Sequence, residues 1–153
     1  MQGKSIPSCY GAFVITFPNR EFEEDREVFV LLMDYIKGSC LRPTTIKNMK
    51  LSDAEKREIS ESVLQILKDI KDRGFLWPTV TNTNFIRSDL TKKVFAVDFS
   101  TVIDTVCGKG RTPGKVFNGQ IQRVKKWLNE VGVYVDCGTY DPLLRLSATK
   151  FHS

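Results

Sequence analysis

Three polar residues in the middle of the chain have the types and spacing to do chemistry on a bound ligand. Thr79, Asn84 and Asp98 lie in the stretch TVTNTNFIRSDLTKKVFAVDFS, residues 79–100. Asp98 is the only strong acid or base among them, while the Thr79 hydroxyl and the Asn84 amide can donate hydrogen bonds. The oxygens of Asn84 and Asp98 also suit Mg²⁺. If the fold brings these residues together, their types allow a reaction centre with Asp98 as its base, or a metal site formed by Asn84 and Asp98.

The same residues also have a purely structural interpretation. An Asp side chain often caps a turn, and an Asn side chain often ties down a loop by bonding to backbone groups. Under this interpretation Asp98 and Asn84 fix the backbone and hold no metal. The sequence leaves both interpretations open.

If the fold also places them beside these polar residues, four apolar or aromatic side chains would line a small-molecule pocket. Ligand pockets are mostly apolar and aromatic, and the group consists of Met33, Tyr35, Phe75 and Trp77. Trp77 and Pro78 form a bulky pair in an otherwise polar segment, so they could equally fill the cleft as hydrophobic core. The first interpretation predicts a small apolar ligand, and the second predicts that Trp77 supports stability.

The segment GKGRTPG, residues 108–114, invites comparison with a phosphate-binding loop. It contains Lys109 and Arg111, and its backbone is rich in glycine. It does not match the GxxxxGK[ST] pattern, and it does not directly connect a strand to a helix in the predicted element order. We expect an exposed surface loop here.

Hydrophobic periodicity predicts the elements that must position these residues. The runs at 11–17 and 28–36 predict two strands, the second of them buried. Ser52 opens the capping box SDAE, and apolar residues at helical spacing predict a long helix that ends at Gly74.

The second half of the chain predicts a hairpin and another helix. FIRS and KVFAVDF read as short strands joined by the turn SDLTKK. An apolar stripe predicts a helix over 118–131 that ends at Gly132, and VYVDCGTY predicts a further short strand. The order of elements predicts an α+β fold with mostly local pairing.

Composition and charge narrow the classes of function. The chain has 153 residues with 41% hydrophobic and 27% charged residues, which suits a single domain over residues 1–153. No apolar run approaches the roughly 18 residues that span a bilayer, and the first residues lack the apolar core of a signal peptide. The formal charge of +5 is spread along the chain without a nucleic-acid-binding motif. We expect a cytoplasmic protein that binds neither membranes nor nucleic acids.

Cysteine and histidine usage argues against two kinds of catalytic or metal centre. Cys9, Cys40, Cys107 and Cys137 form no CxxC pair, and the only histidine is His152. A zinc knuckle needs close pairs of ligands, and a triad needs a histidine in the site. We expect free thiols in a reducing compartment.

From about residue 6 to residue 100, the sequence resembles a protein kinase. IPSCYGAFVIT followed by VFVLLMDYIKGSCL is similar to the last small-lobe strands and the hinge, and RGFLWPTVTNTNFI and VDFS stand where the family has HRDxxxxN and DFG. Within that family, the sequence of this segment most resembles the kinase-like proteins of filamentous fungi. The resemblance implies a remnant of the kinase fold, with strands and hinge in 1–38 and a large-lobe part in 39–153.

The resemblance also implies roles for the residues around the second strand. Met33 stands at the gatekeeper position. Asp34, Tyr35 and Ile36 would form the hinge, whose backbone meets the adenine ring in the family. Any nucleotide contact in this region would involve Met33, Asp34 and Ile36.

Several positions depart from the kinase pattern. Asn84 and Asp98 match the two metal-binding residues, but Thr79 stands in the place of the catalytic Asp and Trp77 in the place of the His. Ser100 replaces the glycine of DFG. Threonine has no basicity near neutral pH and cannot accept the proton of a substrate hydroxyl.

The phosphate-holding parts of the family are also missing from the sequence. A kinase small lobe supplies a Gly-rich loop, a strand Lys and a helix Glu before the hinge, and only five residues precede Ile6. We therefore expect a kinase-like chain with a truncated small lobe and no phosphoryl transfer.

The expected function is binding. A catalytically degenerate module, a pseudokinase, would bind or regulate a protein partner or a copy of itself through apolar strands that have lost their cover, without a cofactor. The first alternative is an enzyme of non-kinase chemistry that uses the cleft for a small apolar substrate. A weaker alternative is residual binding of Mg-ATP or residual phosphotransfer.

Overall fold

The structure is a computed structural model, and it describes residues 1–17, 26–104 and 113–133. Seven strands and three α-helices occur in these ranges: β1 Cys9–Phe17, β2 Arg26–Met33, β3 Gly38–Cys40, α1 Pro43–Asn48, α2 Asp53–Asp72, β4 Phe75–Leu76, β5 Phe85–Ser88, β6 Val94–Ala96, β7 Ile103–Asp104 and α3 Pro113–Glu130. The fold is mixed α+β, as predicted. Residues 134–140 of the predicted strand VYVDCGTY and residues 108–112 of the GKGRTPG segment lie outside the described residues.

The first two strands form an antiparallel hairpin with a sheet of its own. The predicted strand pair is therefore present, and β2 ends at Met33. The prediction that the second strand is buried is wrong, because Phe29 is 81% exposed. A continuous apolar run indicates a buried strand only where other elements cover both of its faces, and most side chains of β1 and β2 remain exposed.

Helix α2 forms where the local signals predict it. The Ser52 hydroxyl accepts a hydrogen bond from the Glu55 backbone N–H, and the Glu55 carboxylate accepts one from the Ser52 N–H. This capping box satisfies two backbone donors at the helix start. Gly74 follows the helix with a φ of 83°, a left-handed conformation that glycine adopts without steric cost.

The apolar face of α2 forms the centre of the core. It carries Ile59, Val63, Ile66, Leu67 and Ile70, all buried. Helix α2 packs against α3 and β4. Helix α3 begins at Pro113 and not at residue 118 as predicted, so it starts inside the GKGRTPG segment. Proline is well suited to the first position of a helix, because its missing N–H is not needed there.

A second sheet joins the segment after β2 to the predicted hairpin. Strand β5 lies between β3 and β6, with all pairs antiparallel. A Cβ atom on Gly38 would lie 2.2 Å from the carbonyl oxygen of Arg87, so only glycine fits where β3 meets β5. The buried Arg87 donates a hydrogen bond of 2.8 Å to Glu55, which fastens this sheet to the start of α2.

Candidate functional site

The loop between β4 and β5 is held in shape by its own polar side chains. A single turn of 3₁₀ helix spans Asn82–Asn84. The carbonyl oxygen of the Asn84 side chain accepts hydrogen bonds from the Thr81 backbone N–H at 2.8 Å and from the Thr81 hydroxyl at 3.0 Å. Asn84 therefore ties down the loop through a side-chain-to-backbone bond.

Asp98 caps a turn directly after β6. Its φ is 62°, a left-handed conformation that Asp tolerates better than most residues. One carboxylate oxygen, Oδ1, accepts a hydrogen bond of 2.7 Å from the Ser100 hydroxyl and one of 3.4 Å from the Ser100 N–H. Ser100, which stands where DFG has glycine, therefore orients the Asp98 carboxylate.

The structure brings Asn84 and Asp98 together. Asn84 Nδ2 donates a hydrogen bond of 3.4 Å to Asp98 Oδ2, and the Val97 N–H donates one of 2.8 Å to the backbone carbonyl oxygen of Asn84. The Asn84 side chain is buried, whereas Asp98 is exposed. An amide in the protein thus holds a carboxylate that still reaches solvent.

Thr79 is paired within the same site. It is exposed, and its hydroxyl group donates a hydrogen bond to the hydroxyl group of Thr101. Two side-chain links, Thr79 to Thr101 and Asn84 to Asp98, therefore join residues 79–84 to residues 98–101.

The arrangement of Asn84 does not fit a divalent cation beside Asp98. Mg²⁺ and Ca²⁺ take oxygen ligands, but Asn84 presents its nitrogen to Asp98. Its oxygen faces the Thr81 N–H, which can only donate, so the orientation of the amide is determined. Both lone pairs of that oxygen are used by Thr81. In the described ranges, no three His, Cys, Asp or Glu side chains come close enough to hold a metal ion.

Trp77 lies in the hydrophobic core. Its side chain is 0% exposed, and its ring centroid is 4.8 Å from that of Phe99 and 5.8 Å from that of Phe85. The indole N–H is buried and has no hydrogen-bond partner among the residues that the structure describes. Trp77 offers no accessible surface to a ligand in this conformation, so its burial supports the core interpretation.

The other members of the predicted pocket are much more exposed. Tyr35 is 89% exposed and Phe75, in β4, is 41% exposed, while Met33 is half-buried. Tyr35 and Trp77 therefore lie at opposite extremes of burial, and no common accessible wall contains both.

The predicted hinge segment is anchored through Asp34. Its carboxylate accepts hydrogen bonds from the Ser8 N–H at 2.9 Å and from the Tyr10 hydroxyl. These bonds, that from Tyr10 foremost, hold the pKa of Asp34 below its usual value, and the same contact raises the pKa of Tyr10. The Asp34 N–H donates to the Ser8 carbonyl oxygen at 2.9 Å. Ile36, the last predicted hinge residue, is half-buried.

Sequence reasoning assigned no role in the site to four residues that shape it. Thr81, Ser100 and Thr101 provide partners for the predicted residues, and Arg123 of α3 donates a hydrogen bond of 2.9 Å to the Pro78 carbonyl oxygen. The spacing of Thr81 and Asn84 is that of a capping box, and this local signal could have revealed their contact. The Arg123 contact joins residues 45 positions apart, and no local signal predicts it.

In the part of the chain that the structure describes, no helix is both long and apolar enough to cross a bilayer.

Comparison with known proteins gives weak similarity to a protein kinase. No protein-family model matches the chain. The chain is 27% identical to a protein named serine/threonine-protein kinase F from Synechocystis over 105 residues, which are 69% of this chain and 21% of that protein. The chain thus spans about a fifth of the length of this curated relative. The similarity supports a distant kinase-like relation.

Proposed function

We propose that this chain is a kinase-like module that works by binding a protein partner and not by transferring a phosphoryl group. One observation carries the proposal, namely the apolar exposure of the β1–β2 hairpin. Its exposed large apolar side chains, here called the hairpin surface, are Tyr10, Phe13, Val14, Ile15, Phe17, Phe29, Leu31 and Leu32.

The strand register distributes the hairpin surface over both faces. Phe13 lies opposite Val30, and Val14 lies opposite Phe29. Neighbouring residues in a strand point to opposite faces, so the Phe13 pair and the Val14 pair are on different sides of the hairpin. Both faces are therefore apolar, which is unusual for a strand pair in contact with water.

This pattern favours a protein partner over other binding partners. Large exposed apolar patches mark interaction sites, and a two-stranded hairpin alone is marginally stable in water. Among the described residues, no third strand pairs with β1 or β2, so their outer edges offer backbone groups to an added strand. Strand β1 contains no charged residue, so it offers nothing to the phosphates of a nucleic acid. The partner that fits is a protein that adds an extended apolar segment and covers both faces.

The chemistry at Thr79 supports the second half of the proposal. Thr79 stands in the place of the kinase catalytic Asp, and its hydroxyl group is engaged with Thr101. It has no basicity near neutral pH, so it cannot orient and deprotonate a hydroxyl nucleophile. We expect no turnover of ATP by the purified protein. Turnover that disappears in Asp98→Ala would contradict this half.

Site-specific photo-cross-linking in the source cells tests the binding half. A photoreactive amino acid is placed at position 29. The matched control has it at position 90, because Leu90 is similarly exposed and apolar but lies outside the β1–β2 hairpin. We expect an adduct at position 29 alone, mapped to an extended apolar segment of one other protein. That protein, once purified, should form a complex with the chain.

Two outcomes of the cross-linking would contradict the binding proposal. One is a pattern of adducts that does not differ between positions 29 and 90. The other is an adduct only to further residues of the same polypeptide, because the hairpin surface would then be covered from within and would not be an interface.

A second candidate function is favoured by the exposure of Asp98. Its carboxylate reaches solvent while Asn84 and Ser100 hold it in place, as a general base requires. In this candidate the site performs non-kinase chemistry on a small apolar substrate. Asp98→Asn would then lower the rate by about 10²-fold or more, whereas partner binding would not change.

A further inference from the structure

The contact between Asn84 and Asp98 has a consequence that does not depend on partner binding. We infer that Asn84 serves as a built-in counter-group for Asp98, so that the Asn84–Asp98 pair is a metal-independent latch between residues 79–84 and residues 98–101. The side chain of Asn84 presents its N–H₂ group to the Asp98 carboxylate. A divalent cation at this place would need an oxygen ligand, so the pair holds together without a metal.

The orientation of the Asn84 amide follows from its other partner. The Thr81 backbone N–H is a donor and lies 2.8 Å from one end of the amide, which must therefore be the oxygen. The nitrogen at the other end then points to Asp98. Rotating the amide to present its oxygen to a cation would place two donors against each other at Thr81. It would also leave the buried Asn84 group without its present partners, and such a loss is costly.

A second side-chain link and a backbone bond join the same part of the molecule without using the Asn84 side chain. The Thr79 and Thr101 hydroxyl groups are hydrogen-bonded, and the Val97 N–H donates to the Asn84 backbone carbonyl oxygen at 2.8 Å. The Asn84 amide nitrogen and the Thr79 and Thr101 hydroxyl groups are thus used in contacts between the two segments. The arrangement needs no ion to hold Asp98 in place.

Titration of the purified chain with MnCl₂ or MgCl₂ alone tests the inference. Calorimetry detects binding of either ion, and NMR of the Asn84 side-chain amide monitors the MgCl₂ titration. We expect no saturable binding up to millimolar concentrations and no shift of the Asn84 signal. Asp98→Ala should shift that signal because it removes the acceptor. Saturable Mn²⁺ binding by the unaltered chain that is lost in Asp98→Asn would overturn the inference. So would an Asn84 amide signal that has the same chemical shift in Asp98→Ala as in the unaltered chain.

Asn84→Asp asks whether the nitrogen is what excludes the cation. It replaces Nδ2 by an oxygen of similar size, so we expect saturable Mn²⁺ binding, with a Kd at least about tenfold below the highest concentration at which the unaltered chain shows none. Asn82→Asp, in the same 3₁₀ turn, is the matched control and should give no gain. A folded Asn84→Asp protein with no gain over Asn82→Asp would overturn the inference. If Asn84→Asp does not fold, the titration of the unaltered chain against Asp98→Asn still decides.

Discussion

Val14 of β1 lies directly opposite Phe29 of β2, and both side chains face water, at 51% and 81% exposure. Directly opposed residues share one face of a strand pair. Two large apolar side chains side by side on an uncovered face lose the stabilisation that burial would give each of them, about 1.5–3 kcal/mol for a fully buried side chain. Their exposure is the reason to expect that another polypeptide covers this face.

Trp77→Ala should destabilise the protein by about 3–5 kcal/mol, because it removes a fully buried ring from the core. Tyr35→Ala is the matched control and should change the stability by less than about 0.5 kcal/mol, since Tyr35 is almost fully exposed. Urea denaturation of both variants provides the measurement. Equal, small effects in the two variants would show that Trp77 is a pocket wall and not part of the core.

The backbone at Asp98 gives a prediction with two matched variants. Asp98→Asn should change stability by less than about 0.5 kcal/mol, because Asn also tolerates the left-handed conformation and can accept the Ser100 hydrogen bond. Asp98→Ala should cost about 1 kcal/mol more, because alanine lacks both properties. Thermal denaturation compares the two. An Asp98→Asn protein that folds normally but has lost its biological activity would favour the second candidate function.

The contact between Asp34 and Tyr10 makes the base of the hairpin sensitive to pH. The folded pKa of Asp34 is lowered, so this stabilisation is present above the ordinary carboxyl pKa and is lost as the pH falls through the lowered value. The folded pKa of Tyr10 is raised, so its contribution is present below the ordinary tyrosine pKa and is lost as the pH rises through the raised value.

Tyr10→Phe and Asp34→Asn should each remove much of this pH dependence. Amide hydrogen exchange of β1 and β2 as a function of pH measures it, and tyrosinate absorbance reports the titration of Tyr10 directly. In Asp34→Asn, the pKa of Tyr10 should return towards its ordinary value. A Tyr10 titration that is the same with and without the Asp34 carboxylate would refute the coupling.

The sequence predicts those elements whose signals are local. Ser52 and Glu55 predict the start of α2, and Gly74 predicts its end, because capping depends on residues a few positions apart. Strands β3, β4 and β7 are only two or three residues long, and they are determined by partners far along the chain. Helix α1 was also not predicted, although Pro43 at its first turn is a start signal.

The exposure of the β1–β2 hairpin could not be predicted, because an apolar run does not reveal whether other elements cover it. The proximity of Asn84 and Asp98 was anticipated only through the kinase resemblance, in which both positions belong to one metal site. The direction of the Asn84 amide depends on Thr81, and the orientation of Asp98 depends on Ser100. Such pairings are decided by the folded backbone and not by residue type alone.

Binding of the purified chain to its cross-linked partner, measured for Phe29→Ser and Leu90→Ser, tests the central claim most directly. Each variant replaces one strongly exposed apolar side chain by serine, so neither should disturb the core. We predict that Phe29→Ser raises Kd by about tenfold or more, the equivalent of about 1.4 kcal/mol, while Leu90→Ser leaves Kd unchanged. Equal Kd values for both variants and the unaltered chain would contradict the claim that the hairpin surface is a protein-binding site.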